Sequence, residues 1–195
     1  IKYCALAFAL FIIVTIAGGL MSAGRFISYF FEDTANRKVG DMKTHDISND
    51  IDELEIELGA VSLEIRTGGS YRVETNYENI IIKEKDKKLK IEEEYSWLAL
   101  GSNAVVIVYI PENKTLEEVE LNTGAGKVSI GSLNTETLKM DFGAGRIIAD
   151  KLLVSKSAKI NGGTGEISIN SGSIKNPDID MGVGKFYMKA ELTGH

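Results

Sequence analysis

Cysteine, histidine and proline are nearly missing from this chain of 195 residues. The one cysteine, Cys4, sits at the edge of an apolar N-terminal run. The remainder therefore builds no disulfide framework and no thiolate metal site. The two histidines are His45 and the final His195. Neither stands in a nucleophile–base pattern, and no His/Cys/carboxylate spacing matches a metal centre. The sequence thus points to no catalytic residue, no metal and no cofactor, and the chain reads as a non-enzyme. Two prolines, Pro111 and Pro177, against 20 glycines suit strands joined by tight corners rather than a disordered chain. Positive charge is short as well. The net charge is −6, made of +2 over residues 1–39 and −8 over the rest. Such an acidic body argues against nucleic acid as a partner.

Charge is absent from one long stretch, "CALAFALFIIVTIAGGLMSAG", residues 4–24. A helix needs ~20 apolar residues to cross a bilayer core, and this run is long enough. Arg25 follows it, and Phe26, Tyr29, Phe30 and Phe31 cluster beyond as an interfacial belt would. A cleaved signal peptide and a buried core helix are the rival readings. Length favours the membrane anchor, because a signal peptide's apolar core runs only ~7–15 residues. The expected organisation is a transmembrane helix over 4–24, a juxtamembrane linker over 25–50 and a β domain over 51–195. Flanking charges do not set the orientation. The expected location is the cell membrane, single-pass, with the domain outside.

What fills that domain is a repeat. "LNTGAGKVSI" (121–130), "MDFGAGRIIA" (140–149), "INGGTGEISI" (160–169) and "IDMGVGKFYM" (179–188) share one register. Their first glycines, Gly124, Gly143, Gly163 and Gly182, are spaced by 19, 20 and 19 residues. A fixed period of this size marks a solenoid. Three positions before each glycine stand Leu121, Met140, Ile160 and Ile179; four after stand Val128, Ile147, Ile167 and Phe186. Apolar residues thus alternate with polar ones on both sides of a glycine corner, as in strands with one buried face. A fifth copy, "LEIELGAVSLEI", centres on Gly59, with Val61 in place of the second glycine.

The glycines Gly59, Gly124, Gly126, Gly143, Gly145, Gly163, Gly165, Gly182 and Gly184 are read as structural corners. Glycine there supplies a positive φ or a close backbone approach. A phosphate-cradling loop would open a helix, and no copy does. "GGTGE" brushes a calcium-binding repeat, but the ligand position holds Lys127, Arg146, Glu166 and Lys185, which disfavours calcium. The expected fold is an all-β, single-stranded β-solenoid of ~20-residue Gly-x-Gly repeats, with an N-terminal hairpin region and one preceding transmembrane helix.

Between the first copy and the others, "IIIKEKDKKLKIEEE" reads as two strands joined by a charged turn, and "AVVIVYIP" as a buried strand ending at Pro111. The Lys/Glu run over 83–94 fits a solvated hairpin with cross-strand charge pairs. Trp97 suits either an exposed anchor or a cover over the end of the stack.

The order of these elements resembles the bacterial candidate-adhesin family of β-solenoid domains, DUF4097. The elements are an apolar N-terminus, "DIDELEIELGAVSLEI", a charged hairpin, "VVIVYIPE" and the repeating "VELNTGAGKVSI", and the match spans roughly residues 47–192. The resemblance implies cell-envelope proteins, often membrane-anchored in Gram-positive bacteria, some tied to envelope-stress signalling. It carries no catalytic motif.

Two outward columns are candidate sites. Asn122, Asp141, Asn161 and Asp180 stand two residues before the corner glycines. With strands ~4.8 Å apart, Asp141 and Asp180 would lie ~10 Å apart, near the separation inverting glycosidases use. An Asn/Asp ladder that stabilises stacked strands explains the pattern without chemistry, since no general acid stands beside the pair. Lys127, Arg146, Glu166 and Lys185, with Tyr187 beside them, form the second column, whose three cations suit an anionic wall polymer or simply solvent. The expected function is a membrane-anchored surface-interaction module. Its partners are the membrane, through residues 4–24, and a cell-wall or surface ligand or a membrane protein. Envelope-stress sensing and polysaccharide cleavage are the alternatives.

Overall fold

The computed structural model describes residues 40–47, 50–94 and 103–194. The apolar run 4–24 and Trp97 lie outside these residues, so the anchor and end-cover readings concern parts of the chain not described. Among the described residues there is no helix, and none therefore that is long and apolar enough to cross a membrane.

The described residues hold eleven strands, which form one strongly curled sheet. Strands β1 (Lys43–Asp46), β2 (Glu53–Leu58), β3 (Ser62–Gly68) and β4 (Arg72–Thr75) are followed by the hairpin β5 (Ile80–Lys85) and β6 (Lys88–Glu93). Then come β7 (Val105–Pro111), the long β8 (Leu116–Ile169), β9 (Gly172–Lys175), β10 (Pro177–Met188) and β11 (Glu191–Thr193). Period-2 patterning sets which face each strand buries. In β2, Leu54, Ile56 and Leu58 are buried, while the alternating Glu53, Glu55 and Glu57 face outward. The hairpin turn holds Asp86 and Lys87 at φ 50° and 65°. Positive φ at both central residues matches the right-handed twist of the flanking strands.

The chain climbs in parallel register. Ile56 lies opposite Leu121, and Leu63 and Ile65 lie opposite Val128 and Ile130. At the other end Ile179 lies opposite Ile160 and Phe186 opposite Ile167. These apolar positions are the ones the sequence register groups together. Each turn also buries a third run beyond the two around the glycine corner: Leu133 and Thr135, Leu152 and Val154, then Ile174. Leu152 and Val154 lie opposite Gly172 and Ile174, and Leu192 continues the column over Ile174. Thr135 stays in that wall because its hydroxyl donates to the Thr137 carbonyl at 2.9 Å.

The intervening segment does not interrupt the stack. β6 pairs in parallel with β2, and β7 with β3, on the side away from β8. The first copy is thus sandwiched between its own hairpin region and the later turns. β5 on β6, β4 on β7 and β1 on β4 then pair antiparallel beyond them. The charged residues on β5 and β1 suit outer strands, where they discourage further pairing. The crossover from β7 to β8 is stapled. Lys114 Nζ lies 2.9 Å from Asp50 and 2.8 Å from Asp52, whose other oxygen meets Lys87 Nζ at 2.7 Å.

Two glycine positions show what the corners require. A Cβ on Gly143 would sit 2.5 Å from the Gly124 carbonyl oxygen one turn away, so only hydrogen fits. Its φ is not in the left-handed region. Gly145 has φ 149° and a would-be Cβ well inside contact with the Gly126 carbonyl oxygen. The first glycine therefore serves close approach, and Gly145 serves both close approach and conformation.

Candidate functional site

The corners stack into a groove of about 1020 Å³ that crosses five turns. Its floor is backbone: Gly59, Gly124, Gly143, Gly163 and Gly182. Bare glycine at each step lets the backbone of successive turns approach closely. The Gly59 carbonyl accepts the Ala125 N–H at 2.6 Å, tying the first two corners together.

One wall is an outward column of carboxylates and amides. Glu57 lies opposite Asn122, and Asp180 opposite Asn161. Between them the Asn161 amide donates to the Asp141 carboxylate at 2.6 Å. Asn122 donates to Glu120 on its own strand at 3.0 Å. Of the expected Asn/Asp ladder, one rung bond is made, Asn161 to Asp141, while Asn122 bonds within its own strand and Asp180 lies opposite Asn161. The Asn161–Asp141 bond is what a stabilising ladder calls for.

Two members of the groove were not legible as such. Glu93, at the end of β6, closes one end and accepts the Gly59 N–H at 2.6 Å. It arrives there only because β6 lies against β2, a pairing no local pattern announces. Gly162, the extra glycine of "INGGTG", clears space for its neighbours. A Cβ there would meet the Phe142 ring at 2.5 Å and the Met181 sulfur closer still. The buried Phe142 thus fills volume that Gly162 vacates, just under the groove.

Electrostatics divide the molecule's outer faces. Glu57, Glu93, Asp141 and Asp180 make the groove acidic. Beside its end, β2 and β6 carry a cross-strand ion-pair mesh in which Glu55 contacts Lys88 and Lys90, and Lys90 also reaches Glu57 and Glu92. Hydrogen bonds from Lys88 and then Lys90 hold the Glu55 carboxyl down at about 2. The Glu55 and Glu57 bonds push the Lys90 ammonium above its ordinary range. The pairing expected inside the charged hairpin is made by Lys83 with Glu92; the Glu55 and Glu57 contacts tie β6 to β2 instead, which the sequence did not announce.

The expected cation column is placed on the next face, but it is not a continuous cationic strip. Lys185 lies opposite Glu166, and Arg146 pairs with Glu166 at 3.2 Å. Tyr187 is half exposed, with Lys189 Nζ 5.5 Å from its ring centre. Lys127 is exposed and does not line the groove. Among the described residues no group of three His, Cys, Asp or Glu is placed to hold a metal ion.

Comparison with known proteins follows the geometry. A family model described as Toastrack DUF4097 matches residues 51–189. No curated protein matches the chain. Similar solved structures include a candidate cell adhesion protein of Clostridium sporogenes, 13% identical, with a TM-score of 0.47 over 80% of this chain and 99% of that one. A candidate adhesin of Bacteroides fragilis is 12% identical, with a TM-score of 0.37 over 80% and 97%. A candidate lipid binding protein of Parabacteroides distasonis is 14% identical, with a TM-score of 0.28 over 80% and 97%.

Proposed function

We propose, from the premise that the chain belongs to the Toastrack DUF4097 family, that it is a non-enzymatic interaction module of the cell envelope. Residues 4–24 hold it in the membrane, and the ~20-residue Gly-x-Gly repeats build a rigid solenoid outside. The observation that carries this reading is the corner groove. It is long, crosses successive turns at a regular spacing, and offers carboxylates and amides beside exposed glycine backbone. Such a surface suits an extended, hydroxyl-rich ligand such as a cell-wall glycan. Hydroxyl donors meet Asp141, Asp180 and Glu93, and flat apolar sugar faces lie against the glycines. Rigidity matters because a preformed groove spends little binding energy on ordering itself.

The cleaving alternative has less support. Asp141 already accepts a bond from Asn161, and neither it nor Asp180 stands beside an identified acid partner. The cation column is a weaker second contact, since Glu166 sits between Arg146 and Lys185.

The test is a titration of the full chain, in detergent, with soluble cell-wall glycan fragments. Wild type should bind saturably and release no new reducing ends. Asn122→Trp, placed on the groove wall, should abolish binding while circular dichroism shows the fold retained. Binding that survives this substitution refutes the groove as the contact. New reducing ends that vanish in Asp141→Asn refute the non-enzymatic reading. Protease treatment of intact cells tests the location: the domain should be shaved away and the anchor retained, and a domain recovered free in the cytosol would contradict it.

A further inference from the structure

We draw no further inference here: the strongest candidate, the outer edge of the β10–β11 turn with Val183, Phe186 and Leu192 exposed along it, is an apolar face for which nothing in the structure shows what covers it.

Discussion

Gly145→Ala separates a backbone corner from a ligand loop most cleanly. Two costs follow from its position. The φ of 149° belongs to a region that side-chain-bearing residues rarely occupy. Holding alanine there costs about 1–3 kcal/mol. The new methyl would also press into the Gly126 carbonyl oxygen. That atom is backbone and cannot swing aside, so two turns must part, at about 1–3 kcal/mol for an overpacked site. Together the loss is about 2–6 kcal/mol. For a domain of this size each kcal/mol moves the melting temperature by about 2–4 °C, so a fall of roughly 4–24 °C is expected. Gly143→Ala carries only the packing cost, because its φ is ordinary, and should fall less. Gly69→Ala is the control: nothing lies within 4 Å of its would-be Cβ, and its φ is not left-handed. It should be neutral or slightly stabilising. Thermal unfolding followed by far-ultraviolet circular dichroism gives the ranking. Equal melting temperatures for Gly145→Ala and Gly69→Ala would refute the reasoning. So would a rise in wild-type melting temperature on adding phosphate that Lys127→Ala removes.

Three further outcomes are expected. Asp141→Asn with Asp180→Asn should leave the fold intact and the melting temperature equal or higher, because the change extends an amide column and removes like charge; a clear fall would show that the carboxylates are structural. Lys114→Met should lower stability modestly in urea unfolding, since it removes the Asp50 pair and leaves Asp52 with Lys87 alone at the crossover; no change would mean the staple carries nothing. Glu55→Gln probes pH. Because the folded carboxyl is depressed to about 2, its contribution is complete above the unfolded value near 4.5 and is lost as pH falls towards 2. The gap in melting temperature between wild type and Glu55→Gln should therefore close over that window, and a gap constant from pH 7 to pH 2 contradicts the ion-pair assignment.

What the sequence made legible is what repeats. The register of Leu121, Met140, Ile160 and Ile179 against the glycines is a local alternation, and one buried face leaves it little freedom to slip. The 80–93 hairpin and the end of β7 at Pro111 are local signals too. The third buried run escaped notice because it is short, and because Thr135 and Gly172 interrupt its apolar pattern. The placement of β6 and β7 on the far side of β2 and β3 is a long-range pairing, so Glu93 could not be assigned to the groove beforehand. The Arg146–Glu166 pair is likewise a contact between turns, although Glu166 itself was readable in the sequence as the acidic member of that column.

Hydrogen exchange on the full chain, with and without cell-wall glycan fragments, tests the central claim most directly. If the corner groove is the contact, amides over 123–125, 142–144 and 161–163 should slow on ligand addition, while those around Lys127, Arg146 and Lys185 should not. Protection confined to that cation column, with the corner amides unchanged, would contradict the account.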